Sequence, residues 1–301
     1  MQEIASEPGA VSRRWRGVAL VAGAAAVWSI AGILTRLTAT DVRTTLFWRS
    51  VFAAAFLFCY IAFKEQGDWR AVIRRFGWPS LGIAVTFAAA MISFITALYE
   101  TTVANVLFIQ ATAPFFAALG AWLLMRERVL VRTLMAISLA LLGVGIMVSD
   151  SAQSGRLLGD LLSVMVAVGL AATIVAARHY PDLPMTDALC AACLITALVT
   201  APLASPTQVS LNDLVLFAIF GICQMGLGLV MFSAGVQLIP AAEAGLASVL
   251  ETVLAPIWVW LAVGEVPGPL ALIGGGVVMI AVLGHLVAER IDELRNRMAR
   301  V

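Results

Sequence analysis

Ten apolar segments, most about as long as a bilayer is thick, run through this chain with only short polar stretches between them. They lie approximately at residues 17–37, 44–63, 79–99, 103–125, 131–148, 157–177, 186–203, 214–236, 244–263 and 269–287. A helix rises 1.5 Å per residue, so about 20 apolar residues cross the roughly 30 Å of hydrocarbon. No water reaches a backbone group there, which makes helices the way such segments satisfy their own hydrogen bonds. The chain is 61% hydrophobic and 12% charged, against about 45–50% and about 25% in soluble domains. That excludes an ordinary soluble enzyme and a disordered chain. Ten spans leave roughly a third of the 301 residues for tails and loops, too few for a large soluble domain. The expected fold class is an all-α membrane protein of ten transmembrane helices.

The distribution of charge orients the chain. Arg13, Arg14 and Arg16 precede the first segment. No cleavage site follows and nine more spans do, so the segment reads as a retained helix and not a signal peptide. With sides numbered alternately, fifteen of the nineteen Lys and Arg residues fall on the side of the N-terminal tail. Only Arg43 and Arg156 fall opposite, and Arg36 and Arg49 lie inside spans. The positive-inside rule then puts both termini in the cytoplasm of a bacterial inner membrane and supports an even helix count. The tail 289–301 reads as a short polar helical extension that meets anionic lipids. Cys59, Cys190, Cys193 and Cys223 all lie in apolar stretches, so the C-x-x-C spacing of Cys190 and Cys193 reads as packing and not redox chemistry.

Residues 104–127 and 242–265 align at an offset of 138, matching Trp122 to Trp260 and Glu127 to Glu265. At an offset of 142, Gly17 meets Gly159 and Arg36 meets Arg178. The chain divides into a tail at 1–16, a five-helix repeat at 17–150, a second at 155–288 and a tail at 289–301. Five is odd, so the second repeat enters the membrane from the opposite side. Inverted repeats are the architecture of many secondary transporters, with the substrate near mid-membrane at the repeat interface.

The fourth segment, with Pro114, Trp122 and Glu127, and its echo Thr252, Trp260 and Glu265 resemble the drug/metabolite transporter superfamily of the EamA type. Arg49 within FWRSVFAAAF and Gly159 at the head of the second half fit the same family. The resemblance covers essentially the whole chain and implies a ten-helix secondary transporter of small metabolites. Within the family it points toward the YddG-like exporters of aromatic and other amino acids. The chain departs from the family where Thr252 stands in place of a proline, with Pro256 one turn later. The two halves therefore need not bend alike.

No P-loop pattern occurs, and no metal-ligand or nucleophile–base set is visible. The expectation is no enzyme activity, no metal, no cofactor and no nucleic-acid partner: a monomer that handles a small-molecule substrate in a lipid bilayer. Glu251 is the most informative residue, because a charge near the centre of a span costs about 2.5–3.5 kcal/mol on insertion scales. It shares a helix face with Ser248, Thr252 and Ala255, and Gln110 and Pro114 hold the equivalent face of the fourth span. Glu251 either holds an ammonium group or a proton, or makes a structural hydrogen bond. Pro114 and Pro256 each remove a helical hydrogen bond and serve as candidate hinges or as simple kinks.

Trp28, Ser29, Ser93, Tyr99 and Gln224 complete the candidate substrate site, with Trp258 as a further aromatic wall and Thr96 and Glu100 beside Ser93. Arg36 and Arg49 are read as neutralising a substrate carboxylate, pairing with Asp41 or snorkelling to lipid head groups. Glu127 and Glu265 are expected to cap the helices that follow them, with gate contacts as the second reading. Gly143, Gly145, Gly274, Gly275 and Gly276 are read as close-packing sites. Amino-acid export is the leading function; export of cationic drugs and translocation of a lipid-linked precursor are the alternatives. Reporter fusions test the topology: a cytoplasmic reporter should be active at both ends of the chain, and activity at only one end would contradict an even span count.

Overall fold

Each apolar segment folds as one helix or as helical pieces in line. The computed structural model describes residues 8–126, 131–180, 183–239 and 241–298, and among these every regular element is helical. The first span is α1 (Pro8–Trp28) and α2 (Ala31–Leu37), and the second is α3 (Val42–Lys64). A short α4 (Trp69–Arg75) leads to the third, α5 (Trp78–Glu100). The fourth is again in two pieces, α6 (Val103–Gln110) and α7 (Ala113–Met125). Then come α8 (Val131–Ser154), α9 (Leu157–His179) and α10 (Met185–Thr200) as the fifth, sixth and seventh. The eighth joins α11 (Leu211–Ala218), a π-helical segment (Ile219–Leu227) and α12 (Gly228–Val236). The ninth and tenth are α13 (Ala241–Val263) and α14 (Pro269–Met298). Among the described residues nine helices are long and apolar enough to cross a membrane, and the fifth span adds the shorter apolar stretch Thr133–Ser149.

The packing carries the symmetry that the sequence offsets suggest. The fifth span packs on the tenth (α8 on α14), and the second on the seventh (α3 on α10). The third packs on the sixth (α5 on α9) and the first on the eighth (α1 on α12). The fourth packs on the sixth (α7 on α9), and the first on the ninth (α1 on α13). Exchanging the two halves turns each of these pairings into itself or into another of them. With five spans per half, that is a pseudo-two-fold axis lying in the membrane plane.

Local chemistry breaks the symmetry. Pro114 stands at the second residue of α7, just past the interruption at Ala111–Thr112, where its missing N–H costs no hydrogen bond. Pro256 instead lies inside an unbroken α13. The π-helical segment has no counterpart in the third span, where α5 is a continuous α-helix.

Close backbone approach explains part of the glycine pattern. A Cβ added at Gly143 would lie 2.6 Å from the Gly274 carbonyl oxygen, and one at Gly274 would lie 2.6 Å from Met147 Cγ. These two residues let α8 and α14 touch backbone to backbone, and Gly275 makes room for the Phe108 ring. Gly145 and Gly276 are different from expectation: nothing lies within 4 Å of a Cβ at either, so they are not packing sites. Gly143→Leu should therefore abolish recovery of folded protein, measured by size-exclusion profile after detergent extraction. Gly145→Ala should leave it unchanged.

Candidate functional site

The first span is interrupted at Ser29 and Ile30, deep in the layer, and neighbouring groups satisfy the exposed backbone. The Ser29 hydroxyl donates to the Ala26 carbonyl at 2.6 Å and accepts from Trp258 Nε1 of α13 at 2.9 Å. The Trp28 carbonyl accepts from the Gln224 amide of the π segment at 3.4 Å. The Trp28 indole lies against Gly228, where a Cβ would overlap it, and 5.1 Å from the Phe232 ring. The break is thus held by the ninth span on one side and by the eighth on the other.

Behind Gln224 lies Arg49 of α3, which is 3% exposed. One guanidinium nitrogen donates to Gln224 Oε1 at 3.1 Å, and the same nitrogen lies 3.7 Å from Met225 Sδ. The Phe220 ring sits 4.8 Å from the guanidinium carbon. Arg49 neither reaches Asp41 nor snorkels. Asp41 instead caps α3, accepting from the Arg43 and Thr44 amides and from the Thr44 hydroxyl at 2.7 Å. Burial raises the affinity of that carboxyl for a proton, but the Thr44 and Arg43 donors outweigh it and hold it below the usual carboxylate value.

Glu251 lies half-buried on α13, two turns before Trp258, and accepts no hydrogen bond and joins no ion pair with any described residue. Thr252 beside it is buried, and the Ser248 hydroxyl is turned back onto the Ala244 carbonyl at 2.8 Å. Gln110 is half-buried at the end of α6, next to the break in the fourth span. Ser93 is buried within α5.

Tyr99 stands apart from this centre. Its hydroxyl meets the Thr45 hydroxyl at 2.8 Å and donates to the Thr40 carbonyl at 3.1 Å, in the loop between the first two spans. Thr96 bonds its own helix at Ile92, and Glu100 is exposed.

On that same side, opposite the N-terminal tail, two clusters join the halves. Arg36, at the end of α2, pairs with Glu265, just past α13, at 2.7 Å. Arg36 also donates to the Leu98 carbonyl in the last turn of α5 and to the Thr101 carbonyl just past it. The second Glu265 oxygen accepts from the Val103 amide at 2.8 Å. Glu265 therefore caps α6 of the other repeat and not α14, the helix that follows it. Its repeat mate Glu127 lies outside the described residues. Asp160, fully buried in the first turn of α9, takes the Thr101 hydroxyl and the Asn105 amide, both at 3.1 Å. Gly159 allows that approach, since a Cβ there would lie 2.6 Å from Thr101 Cβ.

An apolar groove between α3, α4 and α10, lined by Phe58, Ile61, Ile73, Phe76 and Cys190, contains none of the candidate residues. Cys190 and Cys193 are buried and Cys59 is exposed.

The Arg36–Glu265 pair is about one-fifth exposed at each side chain, so solvent screens it only in part. Arg36→Gln and Glu265→Gln should each lower the melting temperature in detergent. The double variant should fall no further than the worse single one, because the two act on one contact. Additive losses would contradict a single shared contact.

A family model described as the EamA-like transporter family matches the chain twice, over residues 15–149 and 157–287. No curated protein matches the chain. Twelve chains of known structure do. One, a crystal structure described only as that of a protein, is 16% identical and covers 93% of this chain and 99% of its own, with a TM-score of 0.63. At that identity the likeness shows the fold alone. The two family matches fall on the two halves that pack symmetrically, and the chain belongs to the EamA-like transporter family, as a multi-pass membrane transporter of small molecules.

Proposed function

We propose that this transporter exports a small zwitterionic metabolite, with amino acids as the leading class, across the bacterial inner membrane. It works as a monomer with both termini in the cytoplasm. The observation that carries the cargo reading is Glu251: an acid in the middle of a span, half-buried, with no partner among the described groups. Such a group is expensive in a membrane and is retained where it meets a ligand or a proton. An ammonium group is the natural complement. Gln110, Gln224 and Ser29 offer polar atoms, and Trp28 and Trp258 offer aromatic faces at the break in the first span.

Movement follows the alternating-access scheme. The Arg36–Glu265 contact and the Asp160 cluster close the side opposite the N-terminal tail, which the loop charges make the periplasmic side. The halves are joined on the other side too, by the Arg14–Glu243 and Arg75–Asp187 ion pairs at 2.8 Å each. Release of the cargo outward requires the Arg36–Glu265 contact to open while the second repeat rocks against the first. The breaks at Ser29–Ile30 and Ala111–Thr112, the latter next to Pro114, are the bend points. Pro256 supplies a weaker one within α13.

Proteoliposomes loaded with each labelled amino acid test the proposal. At least one should leave faster than from empty-membrane controls, and no flux for any of the twenty would overturn it. Glu251→Gln should lower that flux at least about ten-fold at equal protein abundance, the scale of one lost charge-assisted hydrogen bond. Unchanged flux would assign Glu251 a structural role.

A further inference from the structure

Four neighbouring polar atoms on α3 are buried without a hydrogen-bond partner: Trp48 Nε1, Arg49 Nε, Arg49 Nη1 and Ser50 Oγ. Arg49 stands out among them because it carries a full charge. It lies seven residues into its span, about 10 Å along the helix. Its one hydrogen-bonded nitrogen faces a neutral amide, and its face lies against the neutral Phe220 ring. None of the ion pairs among the described residues includes Arg49. A guanidinium has five N–H donors in a planar fork that fits a carboxylate two bonds at a time. Here Nε and Nη1 are left for an acceptor that no described residue supplies.

What covers the guanidinium is also unusual. Gln224, Met225 and Phe220 all belong to the π-helical segment Ile219–Leu227. That segment is pressed onto α3 because Gly221 has no side chain: a Cβ there would lie 2.5 Å from the Arg49 carbonyl oxygen and 2.6 Å from Phe52 Cβ. A π turn holds one extra residue. Its return to α-helical hydrogen bonding turns the following residues by about 100° and shifts them by about 1.5 Å. Gln224 also holds the Trp28 carbonyl at the break in the first span, so the cover is tied to the segment that bends during transport.

We propose that Arg49 is the receptor for the carboxylate of the transported metabolite, and that Ile219–Leu227 is the cover closed over it in this conformation. This rests on the reading of the protein as an exporter of zwitterions and assigns the second pole of its cargo. Glu251 takes the ammonium end and Arg49 the acid end, at different stages of the cycle if the cover moves between them. The residue separates cargo classes: a simple cation gains nothing from Arg49, whereas an amino acid needs it.

The experiment uses the purified full chain in detergent and three probe sets: phenylalanine and leucine, the amines left by removing their carboxylates, and the acids left by removing their amino groups. Binding is read from thermal stabilisation and from tryptophan emission, since Trp48 adjoins Arg49. In the wild type the amino acids and the free acids should bind. Arg49→Gln should weaken both at least about ten-fold and leave the amines unchanged, and Arg49→Lys should restore part of the loss. Glu251→Gln should do the reverse, weakening the amines and sparing the acids. If acids bind Arg49→Gln as tightly as wild type, or if no carboxylate binds the wild type, the assignment is overturned. If Arg49→Gln does not fold, Arg49→Lys decides the matter, because undiminished acid affinity there combined with unchanged emission contradicts a fork-specific contact. Amino-acid flux with no Arg49 dependence would sink the assignment and leave the exporter standing. Arg49-dependent acid binding without amino-acid flux would do the opposite.

Discussion

A backbone amide or carbonyl in hydrocarbon has no water to turn to, and this constraint shapes the centre of the molecule. Wherever a span departs from regular helix, other groups must take over its hydrogen bonds. At the first span the Ser29 hydroxyl returns to the Ala26 carbonyl, and Gln224 reaches across to the Trp28 carbonyl. At the fourth, the Thr112 hydroxyl takes the Ile109 carbonyl. The irregular turns therefore gather polar side chains around them. The proposed site for a polar cargo lies where the helices break, because the breaks themselves require polar partners.

The two halves share their pairing scheme and differ in their chemistry. Second on seventh, fifth on tenth, and the exchange of third-on-sixth with first-on-eighth follow from one pseudo-two-fold axis. The polar groups do not obey it. Glu251 corresponds to Ala113 at the offset of 138, and Arg49 to Ala191 at the offset of 142. Breaks occur in the first and fourth spans, while their mates α9 and α13 run unbroken. The symmetric part supplies a scaffold with two related conformations. The asymmetric part holds the residues proposed for the cargo site.

The spans were legible because hydropathy alone decides them, and their ends agree with the structure to within a few residues, save for the helical extensions of α1 before residue 17 and of α8 and α14 past residue 148 and residue 287. Glu251 was legible because one acid in an apolar run has no bland surroundings to hide in. The partners of the buried arginines were not. Arg36 and Glu265 are 229 residues apart, and Arg49 and Gln224 are 175 apart, so only the folded pairing of helices brings them together. Asp160 escaped notice because an acid in the first turn of a helix reads as an ordinary partner of the helix dipole. The partners of Tyr99 were not legible either, because helix periodicity gives a face but not a depth: its hydroxyl meets Thr45 and the Thr40 carbonyl in the loop between the first two spans. The π segment left no trace in the sequence, since its residues are as apolar as those of any span.

An experimental structure solved with a transported amino acid present tests the central claim most directly. The account predicts the ligand at the break in the first span, its ammonium nitrogen within hydrogen-bond distance of the Glu251 carboxylate. A ligand seated elsewhere, or Glu251 engaged by a neighbouring helix with the ligand out of reach, would contradict it.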